Sequence, residues 1–282
     1  MFPATTLPEG RLAPHATRLV SRCAVTPAAP TRLHDLLHVM GAESHDPVPE
    51  PGFTIPVWRV RAASVLVHEG ARSEFVHVVR SGTFKCLRTS EDGYEQVLGF
   101  AGQGEVLGFE AVCRGRHRSS AIALEDSTVC ALPLHALDRW RQLSPALDHA
   151  LQFALSRQLA RAGEIAEMMA AVAAEVRLAR FLVWWSACMA ERGQSPRRLY
   201  LRMSRRDIAS LLGVAHETVS RSFTALADWG FLWVDNREVE ILDLAGLRAC
   251  ARNTRGLSDE VPHGGVPPGR HGTATRLSAL AA

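Results

Sequence analysis

"MSRRDIASLLGVAHETVSRSFTALADWGFL", Met203 to Leu232, holds two short apolar patterns of helical step separated by Gly213-Val214. Wound as two helices, it brings Ile208, Ala209, Leu212, Val214, Val219, Phe223 and Leu226 to one inner face. Ser204 and Asp207 have the spacing of a capping box, in which each side chain takes a free backbone N–H of the first turn. The first helix is therefore expected over Ser204 to Leu212. Ala209 is small enough for close helix approach, Gly213 supplies the turn, and Val219 packs the second helix on the first. This is the pattern of a helix-turn-helix. "FLWVDNREVEIL", 231–242, then reads as two strands about Asp235-Asn236, a hairpin that makes the motif a winged one.

With the apolar positions turned inward, Glu217, Ser220 and Arg221 fall on the outer face of the second helix, and His216 stands at its leading end. Their chemistry suits base edges. Arginine donates two hydrogen bonds to guanine O6 and N7, glutamate accepts from cytosine N4, and serine bonds several groups. Arg197, Arg198, Arg205, Arg206 and Thr218 are candidates for phosphate contacts, which fix register without reading sequence. The competing reading is a solvated face with a Glu217–Arg221 salt bridge at i, i+4. A cap, a turn and a wing in sequence are more specific than a charge pair, so double-stranded DNA is the expected partner.

Upstream of this module, "LYLRM" alternates like a strand, and a helix is expected over Glu175 to Arg192, ending near Gly193 and Pro196. Before it, Leu147, Leu151, Leu155, Leu159, Ala162, Ile165, Met169, Val172 and Val176 recur at steps of three and four. A long helix with such a stripe has to bury it, either on its own β-domain or against a twin across a two-fold axis; the second is expected, giving a homodimer. From Val65 to about Pro133 the chain changes to short β-branched and aromatic runs broken by glycine, the pattern of a barrel or sandwich. Ser81-Gly82 and Asp92-Gly93 are expected hairpin turns. Leu33 to Met40 fits one short helix, followed by the proline-rich linker "HDPVPEPGFTIP".

The chain of 282 residues therefore divides into a flexible N-terminal tail (1–32), a β-rich domain (33–137), a dimerisation helix (138–171), a winged helix-turn-helix (172–247) and a disordered C-terminal tail (248–282). The class is α+β. A hydrophobic fraction of 47% with 22% charged residues suits a soluble protein, and no apolar run approaches the roughly 20 residues that span a bilayer. The first residues lack the apolar core of a secretory signal, so a cytoplasmic protein is expected. Cys23, Cys86, Cys113, Cys130, Cys188 and Cys250 show no CxxC spacing, which indicates neither a disulfide framework nor a zinc knuckle. A net charge of +3 is too mild to name a partner; Lys85 is the single lysine. No histidine–cysteine arrangement comes with a recognisable nucleophile motif, and an enzyme is not expected.

From Val65 to Cys250 the order of elements resembles the CRP/FNR family of bacterial transcription regulators. "ERGQSPRRLYLRMSRRDIASLLGVAHETVSR", "SGTF", "DGYEQVLGF", "LGFEAV" and "STVCALP" are most similar to its FNR branch. The resemblance implies a cyclic-nucleotide-binding-like β-roll for the sensor domain. It also implies that Glu217, Ser220 and Arg221 match the branch's base readers of a TTGAT half-site. A dimer would read a palindrome of such half-sites, with recognition helices about 34 Å apart. Contacts to RNA polymerase are implied for β-roll loops such as Thr89 to Gly93. His216 departs from the pattern, standing where the FNR branch carries a small apolar residue.

The sensor chemistry is incomplete. A cyclic nucleotide needs a glutamate for its ribose and an Arg-Ser pair for its phosphate. Arg118-Ser119 is similar to that pair, but Phe109 follows Gly108 where the glutamate belongs, and Glu110 is one step off, on the other face of a strand. Cyclic AMP is therefore disfavoured. A [4Fe–4S] cluster needs four thiolates; Cys130 matches the β-roll ligand, but Cys23 stands alone where the branch has a group of three, so a conventional cluster is not expected. Haem is a further candidate, with His68, His77 or His117 as ligand, and a Cys23–Cys130 redox pair is another.

Overall fold

The computed structural model describes residues 24–42 and 54–253. The chain opens with strand β1 (Val25–Thr31) and helix α1 (Leu33–Val39), then strands β2 (Ile55–Val60), β3 (Val65–Val67), β4 (Phe75–Ser81), β5 (Phe84–Thr89), β6 (Glu95–Ala101), β7 (Val106–Leu107), β8 (Ser120–Ala123) and β9 (Ser127–Pro133). These form two sheets, ordered β1-β2-β9-β4-β7 and β3-β8-β5-β6. Leu36, Ile55, Val76, Val78, Cys130 and Leu132 fill the core under the first sheet. Phe84, Val79, Leu107, Ala123 and Val129 fill the space between the two sheets.

Two expectations for this half are corrected. Residues 25–31, assigned to the tail, pair antiparallel with β2 from Val25↔Val60 to Thr31↔Ile55. Pro27 and Pro30 argue against an inner strand, but β1 is the sheet's edge, where a missing N–H costs no ladder bond. Ser81-Gly82 is not a hairpin: β4 and β5 lie in different sheets, and the chain crosses between them there. Gly82 has φ +92°, and a Cβ on it would lie 2.0 Å from Ser127 Oγ. Asp92-Gly93 does join the antiparallel pair β5 and β6.

Helix α2 (Leu134–Leu143) is separate from the long helix α3 (Pro145–Ala170). Ser144 breaks them, accepting the Leu147 N–H as a cap while Pro145 takes the first turn, where its lack of an N–H is harmless. The apolar stripe consequently splits in use. Leu147 and Leu151 are buried on the protein's own β-roll, whereas Leu155, Met169 and Val172 are exposed and Leu159 is 76% exposed. Val176 belongs to the next helix and is fully buried.

Helix α4 (Ala174–Glu191), strand β10 (Arg198–Tyr200), helices α5 (Arg205–Leu212) and α6 (His216–Asp228), strands β11 (Leu232–Asp235) and β12 (Glu238–Ile241) and helix α7 (Leu244–Arg252) complete the chain. The helix α7 corrects the boundary at 247: Asp243 caps it through the Gly246 N–H, and Leu247 and Cys250 are buried in the same core as α4. That core also takes Val97 and Phe100 from β6, so the winged module docks on the β-roll. Lys85 Nζ lies 2.8 Å from Asp207 Oδ1, and Ser210 Oγ accepts the Val97 N–H and donates to the Glu95 carbonyl. The solitary lysine thus ties a β-roll strand to the capping residue of the first motif helix.

Candidate nucleic-acid interface and sensor cleft

The capping box forms as expected: Ser204 Oγ accepts the Asp207 N–H at 3.1 Å, and Asp207 Oδ2 accepts the Ser204 N–H at 2.8 Å. Gly213 ends α5 with φ +64°, the left-handed conformation that lets the chain turn directly into α6. In α6, Val219, Ser222, Phe223 and Leu226 are buried, and His216, Glu217, Ser220, Arg221 and Thr224 are exposed. Thr218 is half-buried. The helix therefore shows solvent the side chains that the apolar period assigns to its outer face.

The Glu217–Arg221 bridge does not form. Glu217 Oε1 lies 2.9 Å from His216 Nδ1, and Arg221 donates to Thr218 Oγ1 at 3.3 Å. The Glu217 carboxyl is held below its ordinary range, first by its own backbone N–H at the helix start and then by His216. Both side chains lie exposed at the surface.

Arg205 and Arg206 part company. Arg206 is exposed. The Arg205 guanidinium stacks 3.4 Å from the Phe223 ring centre and donates to the Asn236 carbonyl at 2.9 Å, and burial pushes it down to about 10. It ties α5, α6 and the wing turn together. Arg197 and Arg198 are both exposed, Arg198 as the first residue of the wing-sheet strand β10.

The sensor residues come apart in the structure. Gly108 adopts φ +82° and opens a 3₁₀ turn, Phe109–Ala111; a Cβ there would meet His117 Cε1 at 2.8 Å. Because 109–111 is a turn and not a strand, alternation fails. Phe109 packs toward the core around α1, and Glu110, expected on the far face, lines a cleft of about 350 Å³. Ser119 lines the same cleft, but Arg118 is exposed and outside it. A cyclic phosphate beside Ser119 would thus face the Glu110 carboxylate with no arginine from its own loop, and the residues present do not fit that ligand.

The other candidates fare no better. His68 is exposed, and His77 and His117 are buried; none lines the cleft. His77 sits against the Trp58 and Phe75 rings with both nitrogens unpartnered, and burial pushes it down to about 3. These histidines do not fit a haem. Cys130 is fully buried in β9 and burial pushes its thiol up to about 11, the opposite of what a thiolate ligand needs. Cys23 lies outside the described residues. Among the described residues, no group of three His, Cys, Asp or Glu could hold a metal ion.

Sequence reading missed the back wall of the cleft. Arg157, Gln158 and Arg161 of α3 and Trp184 of α4 line it with the β-roll strands. A helical period shows which residues share a stripe but not that the flank of that stripe closes over a neighbouring sheet.

A β-roll joined by a long helix to an exposed recognition helix and wing defines a DNA-binding regulator. Residues 57–143 match the cyclic nucleotide-binding domain family, and 176–250 match the Crp-like helix-turn-helix domain. The chain is 35% identical over 190 residues to the transcriptional regulatory protein btr of Bordetella pertussis, covering 67% of this chain and 78% of that one. It is 33% identical over 199 residues to the fumarate and nitrate reduction regulatory protein of Escherichia coli, covering 71% and 80%. The structure of FixK2 from Bradyrhizobium japonicum has the same fold, with a TM-score of 0.60 at 24% identity over 70% of this chain and 97% of that one. The chain belongs to the CRP/FNR family of transcription regulators. It is a DNA-binding transcription regulator. No helix among the described residues is long and apolar enough to cross a membrane.

Proposed function

We propose that the protein works in the cytoplasm as a homodimer that reads a palindrome of TTGAT-type half-sites and contacts RNA polymerase through β-roll loops. The observation that carries this reading is the α6 surface, which leaves His216, Glu217, Ser220 and Arg221 exposed while Val219 and Phe223 anchor the helix. Arg221 reads guanine, Glu217 accepts from cytosine N4 and Ser220 adds a further base contact. Arg206 and Thr218 hold the phosphate backbone, and Arg205 holds the wing against the motif.

The exposed half of the α3 stripe supports the dimer. Leu155, Leu159 and Met169 of α3, with Val172 just beyond its end, leave an apolar surface that water does not favour and a second copy of α3 would cover. The test is a titration of the full chain against a TTGAT palindrome, a single half-site and a scrambled duplex, all at one salt concentration because phosphate contacts weaken steeply with salt. The palindrome is expected to bind most tightly. Leu159→Glu should give a monomer by light scattering and lose that preference. Equal binding to palindrome and scramble would sink the proposal.

A further inference from the structure

Residues 171–173 alone separate the long helix from the DNA-binding module, and two arginines of α4 bridge that joint. Arg177 Nε donates to the Ala171 carbonyl, at the C-cap of α3, at 2.7 Å, and its Nη1 donates to the Leu212 carbonyl at 2.8 Å. Leu212 is the last residue of α5, one step before the Gly213 turn into the recognition helix. Arg180, one turn further along α4, serves the other end of the module. Its Nη1 donates to the Glu167 carbonyl in the last turn of α3 at 2.6 Å. Its Nε and Nη2 donate to the Ala251 and Asn253 carbonyls, at 2.7 and 3.3 Å, where α7 ends.

The chemistry suits that geometry. The last carbonyls of a helix have no N–H partner within it and carry the negative end of its dipole, so they attract cations. Helices α3, α5 and α7 all bring their carbonyl ends to α4, and each guanidinium joins α3 to one of the other two. A guanidinium presents its donors in a rigid planar fork, so acceptors held by one fork are fixed in orientation as well as in distance. Met169, also in the last turn of α3, reaches the same turn of the motif: its Cε would lie 3.4 Å from a Cβ at Gly213. Lys85 holds the start of α5 to the β-roll through Asp207, whereas Arg177 holds its end, from which α6 springs, to α3.

We propose that Arg177 and Arg180 are positioning residues that set which spacing of half-sites the protein accepts. The inference rests on the reading of the protein as a homodimer joined along α3. In such a dimer the distance and angle between the recognition helices follow from how each module sits on its own α3, and the two-fold axis doubles any tilt. Each added base pair moves a half-site about 3.4 Å along the duplex and turns it by roughly 35°, so a rigid joint accepts one spacing and a loose joint several. The contacts of His216, Glu217, Ser220 and Arg221 lie within α6, so the joint governs where the readers are held and not what they read.

The test measures binding of the full chain, Arg177→Gln, Arg180→Gln and the double variant at one salt concentration. The duplexes are a single TTGAT half-site and palindromes whose central spacer is the wild-type optimum or is one or two base pairs shorter or longer. A spacer wrong by one base pair should cost the wild type about tenfold or more in affinity. In the double variant that penalty should fall to about threefold or less, while binding to the half-site stays within about twofold of wild type. Arg180→Gln alone, which leaves Arg177 at the turn, should show the same flattening at smaller amplitude, and carries the test if the double variant does not fold. Equal losses on half-site and palindrome would make the arginines supports of the fold, and a variant as steep as the wild type would show that they do not set spacing. Either result overturns this inference and leaves the dimer standing. A wild type with no spacing optimum would overturn both.

Discussion

The outer face of α6 and the sensor cleft are assembled by different rules. The α6 face is made by one continuous segment: its period decides which side chains point out, and the left-handed Gly213 that ends α5 sets where the helix begins. The cleft draws residues from β3, β5, β6, β7, β8, α3 and α4, up to 117 positions apart between Val67 and Trp184. A surface of the first kind is specified locally. A cavity of the second kind exists only after the long-range packing is complete, so its chemistry can change without disturbing any motif.

The sharpest way to break that contrast is to remove the anchor beneath the readers. Phe223 is 3% exposed and carries the Arg205 guanidinium on its ring. Phe223→Ala should cost about 3–5 kcal/mol through lost burial and the cavity left behind, seen as a lower urea midpoint. Specific DNA binding should fall with it. An unchanged midpoint would mean that α6 is not held by this core.

Arg221→Ala touches only the reading surface. It should leave the melting temperature unchanged and cost about 1–3 kcal/mol of discrimination at one base pair, measured with duplexes substituted at that position. A uniform loss on every sequence would instead make Arg221 a phosphate contact, and the local rule would then have identified the face but not its chemistry.

Between the two regions lies Asp207. Burial raises its pKa, but hydrogen bonds from Lys85 and Ser204 outweigh that and hold it below its ordinary 3.8. A carboxylate whose pKa is depressed on folding adds stability that is fully present above its unfolded value and is lost as pH falls through its folded one. Acid melts should therefore show a loss of stability below about pH 4 that Lys85→Met makes smaller, since the folded pKa moves back toward the unfolded one. Should the acid limb of the wild-type and Lys85→Met curves coincide, the lysine does not stabilise the docked module.

The sequence-level expectations succeed and fail along the same line. Ser204, Asp207, Gly213 and the Val219–Phe223 spacing place the motif because each acts within one turn or two of itself. The strand at residues 25–31 is not legible locally, because its prolines suit only an edge and being an edge is a property of the whole sheet. Glu110 misleads because a 3₁₀ turn, opened by Gly108 packed against His117, replaces the alternation assumed for a strand. Arg157 and Trp184 sit in helices whose stripes were legible, but which sheet their flanks meet depends on how α3 and α4 pack.

The smallest expected effect falls on His216, and it asks whether the local rule extends to chemistry. His216 is exposed and its Nδ1 lies against Glu217 in open solvent, where a contact between charged groups contributes little. Glu217 is already held below its ordinary range by its own backbone N–H, so removing the imidazole does not neutralise it. His216→Ala should then weaken binding slightly and alike on all duplexes, as expected for a group at the phosphate edge. A change confined to the base pair that Glu217 contacts would show instead that the imidazole orients the carboxylate. The helix would then carry one more specificity determinant than its outward-facing period reveals.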